Sequence, residues 1–127
     1  MKKIKKSSKN FKLKHPREVG KFYSINDQKG GHPGRVFYAN PDEDIYFIVK
    51  FSTKPRKDRI KLKHSIDPDS EHAQYVVKKA LEKNYDGMRY KKEYSTFRVH
   101  SDDLNTIKEI EQKYFKKIKN DTCESHK

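Results

Sequence analysis

Residues 45–51, IYFIVKF, constrain this chain more than any other stretch. Six of the seven side chains are apolar, and several are β-branched or aromatic. A near-continuous apolar run of this length predicts a strand buried on both faces rather than one with a wet side. RVFYA (35–39) just before it has the same composition. NPDED (40–44), between them, is turn-forming, so the two runs read as a hairpin. A strand buried on both faces needs cover on two sides, yet only 31% of residues are hydrophobic and 39% are charged. The core is therefore small. Trp is absent, and eight Tyr and seven Phe must supply most of its large side chains. The 127 residues fit one domain.

Around this hairpin the chain reads as a series of short elements. Residues 1–15 are a basic, flexible arm in which Ile4, Phe11 and Leu13 are too sparse to define a packed element. The ordered domain, 16–119, opens with VGKFYSI (19–25) as a first strand. NDQKGGHPG (26–34) has three glycines and a proline and reads as a loop. RIKLK (59–63) alternates basic and apolar residues, as a strand with one wet cationic face does. AQYVVKKALEK (73–83) is ambiguous: its first half favours strand, its second half helix. YSTFRVH (94–100) reads as a further strand. Ser101-Asp102-Asp103 then opens a helix, with Ser101 as cap and the acids at the positive helix end. Leu104, Ile107, Ile110, Tyr114 and Ile118 recur at helical spacing. Residues 120–127 read as a flexible tail. About five short strands and one terminal helix describe a mainly β protein, a small, curled antiparallel barrel of SH3-like shape.

The net charge is +13, and it is clustered. Residues 1–20 hold eight Lys or Arg against one Glu, and residues 50–63 hold seven against one Asp. These two patches contain the whole excess. Such a field attracts polyanions, nucleic acid first among them. The single Cys123 allows no intrachain disulfide, which suits a reducing, cytoplasmic compartment. No run approaches the apolar length of a membrane span. MKKIKK lacks the apolar continuation of a secretory signal, and fits a nuclear address or a nucleic-acid arm equally well.

The order of these motifs resembles the MazF/PemK toxin family of small SH3-like-barrel endoribonucleases. In that family a polar loop ends in an Arg-Pro step that opens an apolar strand, matched here by GHPGRVFYA. The next apolar strand ends in a Thr followed by polar and basic residues, as IYFIVKFSTKPRK does. The resemblance covers roughly residues 19–118 by pattern. It implies attack of a ribose 2′-hydroxyl on the adjacent phosphate of single-stranded RNA, an acidic antitoxin-like partner, and a second copy of the chain as a candidate partner. Thr53 falls where the family places its catalytic Thr. His32 falls where the family has its catalytic Arg, which replaces a permanent cation by a group that titrates near neutrality. Arg35, two residues past Pro33, is the candidate for the fixed cation.

The reaction needs a base, an acid and donors for the charge on the phosphoryl oxygens. His32 suits proton transfer. Thr53 and Ser52 donate hydrogen bonds. Lys54, Arg56, Lys57, Arg59, Lys61 and Lys63 can track a phosphate backbone, and His64 is a second acid–base candidate. Each also has an ordinary reading: a His before Pro in a Gly-rich loop is commonly a turn residue, and a charge run is commonly a solvated face. Tyr75, Tyr85, Tyr90 and Tyr94, interleaved with Lys and Arg, can stack unpaired bases or simply pack. No cofactor is implied: the six His show no paired zinc-ligand spacing, and GxxxxGK[ST], GxSxG and GxGxxG are absent. Two functions stay open, an RNA-cleaving toxin-like enzyme and a non-catalytic nucleic-acid-binding accessory protein or inhibitor.

Overall fold

The structure is a computed structural model and describes residues 16–27 and 30–125. The basic arm expected over residues 1–15 lies outside them. Among the described residues seven strands form one antiparallel sheet: β1 (Phe22–Asp27), β2 (Gly30–Asn40), β3 (Ile45–Ser52), β4 (Arg59–Lys61), β5 (Tyr75–Val77), β6 (Leu81–Lys83) and β7 (Met88–Arg89). A single helix, α1 (Leu104–Ser125), closes the described chain. The strands run β4-β5-β3-β2-β1-β7, and β6 pairs with the first half of β3. The class is the expected one, mainly β with a C-terminal helix. The hydrogen-bonded path is open, since β4 and β7 end it without pairing to each other.

β3 is buried on both faces, as its composition requires. Val49 and Phe51 face one cluster with Phe22, Leu62, Val76 and the α1 residues Ile107 and Ile110. Tyr46 and Ile48 face a second cluster with Tyr23, Ile25, Val36, Tyr85 and Met88. Each side chain of this kind contributes about 1.5–3 kcal/mol when fully buried. The strand therefore ties two small cores together, one under the helix and one on the far side of the sheet.

The segment expected as a loop at 26–34 is instead paired. β1 continues to Asp27, and β2 starts at Gly30, in register with it from Asp27–Gly30 to Phe22–Arg35. The glycines serve close approach here. A Cβ on Gly34 would stand 2.6 Å from Ile48 Cγ2 and 2.7 Å from Ile25 Cγ1, and one on Gly31 would run into the Ser24 hydroxyl. Pro33 is tolerated because β3 pairs with β2 only from Gly34 onward, leaving Pro33 with one ladder neighbour.

AQYVVKKALEK divides into β5 and β6, which pair with different ends of β3. YSTFRVH is not a strand. Lys92–Thr96 form a 3-10 turn, and the extended residues after it place Phe97 and Val99 against the helix-side core. The alternation is that of burial without a ladder. A further 3-10 turn, Ser101–Asp103, precedes α1, and its cap is His100, whose side chain accepts from Asp102 N–H, rather than Ser101. Ile107, Ile110 and Tyr114 face the core as their spacing predicts. The helical backbone continues to Ser125, into the stretch read as a tail. No helix among the described residues is long and apolar enough to cross a membrane.

Candidate nucleic-acid interface

The antiparallel β2–β3 register puts the start of one strand beside the end of the other. Gly34 lies opposite Lys50, so His32 lies two residues before that pair and Ser52 two residues after it. Thr53 follows directly and is exposed. His32 is half-buried and opposite Ile25 of β1, so it shares the face of the second core. His32 and Thr53 thus come to one end of the sheet. Arg35 does not join them. It lies opposite Val49, on the helix face, and its Nη1 donates to Glu111 Oε2 of α1 at 3.0 Å. Burial pushes the Glu111 carboxyl up, against the opposing pull of the Arg35 guanidinium.

Ser52 is buried, and its hydroxyl accepts from Lys54 N–H at 3.2 Å and from Arg59 Nη1 at 2.9 Å. The same Arg59 nitrogen donates to the Lys54 carbonyl at 2.8 Å. Only 9% of the Arg59 side chain is exposed. Arg59 therefore braces the 53–58 loop from inside, where the alternation of RIKLK had placed it on the wet face. Lys54, Arg56 and Lys57 are exposed on that loop. Lys61 and Lys63 are exposed too, while Leu62 between them is buried. β4 ends the sheet, so this cationic ridge is an edge, and lysines on an edge also discourage strand addition.

The ridge leads to a cluster that spacing along the chain does not reveal. His64 and His100 stack with ring centroids 3.7 Å apart and planes tilted by 23°. His64 Nε2 is 2.9 Å from Asp102 Oδ2, and His100 Nδ1 accepts from Asp102 N–H at 3.1 Å. The bond from His64 holds the Asp102 carboxyl below its ordinary value. Asp103, buried, fixes the geometry from below: its two oxygens accept from Lys63 N–H at 2.8 Å and His64 N–H at 3.0 Å. Ligand atoms of His64, His100 and Asp102 all lie within 4.8 Å of one another, with Asp102 Oδ2 2.9 Å from His64 Nε2 and 3.6 Å from His100 Nδ1. As arranged, the cluster is suited to proton transfer, with Asp102 orienting His64.

A mainly β sheet with a clustered cationic edge and two histidine-bearing positions is the class that fold and site define. Comparison with family models, curated proteins and solved structures finds no match.

Proposed function

We propose that the protein binds nucleic acid, single-stranded RNA in preference, and cleaves it without metal through 2′-hydroxyl attack, as a MazF/PemK-like toxin of a toxin–antitoxin or mobile-element system would. The observation that carries this reading is the β2–β3 register, which gathers His32, Thr53 and the exposed 54–57 cations at one sheet end. His32 takes or gives the proton. Thr53 donates to the phosphoryl oxygens, and Lys54, Arg56 and Lys57 hold the flanking phosphates. Because Arg35 is paired with Glu111, the permanent cation beside the phosphate has to come from the loop. A reducing cytoplasm suits the lone thiol, and an acidic antitoxin-like protein is the partner that the charge invites. Self-association into a homodimer belongs to the same proposal.

The test is cleavage of mixed-sequence single-stranded RNA by purified protein in the presence of a chelator. A 2′-deoxy substitution beside the scissile phosphate should abolish the cut. His32→Ala should cost roughly a hundredfold or more, the scale of a general acid–base, and Thr53→Ala less. Loss of activity in His64→Ala but not in His32→Ala would move the chemistry to the His64–His100–Asp102 cluster. Tight binding with no cleavage at any pH would leave the second reading, a non-catalytic binder. The internal bonding of Ser52 to Arg59 and of Arg35 to Glu111 favours that second reading.

A further inference from the structure

Away from the cationic edge, a cleft of about 560 Å³ opens between residues 16–23 and residues 90–98. That is within the ~300–1,000 Å³ of small-ligand sites. Tyr94 and Phe97 stack within it, with centroids 4.6 Å apart, and Lys91 Nζ lies 5.5 Å from the Tyr94 ring. Tyr90 is 53% exposed and Val19 58% exposed, and both line this cleft. Leaving two large apolar side chains so open around one cavity has a solvation cost that a flat-sided ligand would relieve. The rim carries Lys21, Lys91 and Arg98 against the single carboxylate of Glu18. An apolar floor under a cationic rim matches an unpaired base joined to phosphates.

Arg98 gives the cleft a direction. It lines this cleft and also the neighbouring one that contains His64 and His100. Phe97 and Val99 turn inward, so Arg98 and His100 are presented outward together along the extended 97–100 segment. A strand with one base in the aromatic cleft would carry its next phosphate past Arg98 toward the histidine pair.

We propose that Tyr90, Tyr94, Phe97 and Arg98 form a nucleobase-stacking subsite for single-stranded RNA, with Arg98 on the adjoining phosphate. The subsite rests on the nucleic-acid reading above and deepens it by naming an unpaired base as the element recognised. The probes are a fluorescent 2′-O-methyl oligouridine, which the proposed reaction cannot cut, and an abasic oligomer of equal length and charge. Binding is read by anisotropy at fixed salt. Wild-type protein should bind the base-bearing oligomer about tenfold more tightly, within the range of one aromatic stack. Tyr90→Ala should erase that preference while leaving abasic affinity unchanged, and Tyr90→Phe should restore it. Arg98→Gln should weaken both oligomers alike. Thermal melts of each variant separate these effects from misfolding. The subsite is overturned if Tyr90→Ala binds oligouridine like wild type while Lys54→Gln/Arg56→Gln/Lys57→Gln binds it more weakly; that outcome leaves the nucleic-acid reading intact. Failure of wild type to bind either oligomer overturns both.

Discussion

Replacing Arg59 by Met tests whether the basic ridge contacts phosphate with every cation or keeps one for itself. Arg59 Nη1 makes two short bonds, to Ser52 Oγ at 2.9 Å and to the Lys54 carbonyl at 2.8 Å. A hydrogen bond to a charged group contributes about 1.5–3 kcal/mol when protected from water. The Ser52 bond qualifies, since Ser52 is buried. The Lys54 bond is exposed, and water replaces it at a cost of about 0–1 kcal/mol. Asp58, 3.9 Å from Nε and largely exposed, adds little. Arg59→Met should therefore destabilise the fold by about 1.5–4 kcal/mol, a urea midpoint shift of roughly 1–3 M at a slope of ~1.5 kcal/mol/M. The salt dependence of RNA binding should hold its slope, because an inward cation releases no counterion. Lys54→Gln, Arg56→Gln or Lys57→Gln should each flatten that slope by up to about 0.7. The reasoning fails if Arg59→Met leaves stability unchanged and flattens the slope as the lysine variants do.

Gly34→Ala should lower stability by about 1–3 kcal/mol through overpacking against Ile25 and Ile48, and an unchanged melting temperature would refute the close contact. Asp102 has a lowered carboxyl, so its contribution is present above the ordinary aspartate value of 3.8 and is lost as pH falls through the lowered one. Asp102→Asn should flatten the acid limb of a melting-temperature profile there, and an identical limb would count against the His64 bond. Glu111 has a raised carboxyl, so the folded state holds its proton more tightly, and stability falls as pH rises above the ordinary value of 4.5. Glu111→Gln should remove that fall, and a profile unchanged between pH 4 and 7 would argue against burial as the cause.

What the sequence disclosed was whatever depends on near neighbours. IYFIVKF announced a doubly buried strand because six apolar residues in seven leave no wet face. The face of α1 was legible from Ile107, Ile110 and Tyr114 for the same local reason. GGHPG misled because glycine and proline read as breakers when taken alone. Their fitness for β2 depends on Ser24, Ile25 and Ile48 from other strands and on where β3 stops pairing. Arg59 looks like Lys61 in sequence, and it is the Ser52 hydroxyl and the Lys54 carbonyl across the loop that turn it inward. The pairing of His64 with His100 spans a gap that no spacing rule covers. Alternation of Arg98 and His100 in YSTFRVH is its one visible trace, and the same alternation fits a ladder strand equally well.

Asp103 has a consequence for how this protein is made. Its carboxylate holds the N–H groups of Lys63 and His64, 40 and 39 positions earlier in the chain. On a ribosome adding about 5–20 residues per second, the end of β4 waits roughly 2–8 s for that partner to be synthesised. Contacts so distant in sequence form late and slowly, after loop closure has been overcome. The nascent chain can pair β1, β2 and β3 well before its histidines meet. The stack of His64 on His100 is thereby completed only after residues 100–103 have been made, whereas the β2–β3 end that carries His32 and Thr53 can form earlier.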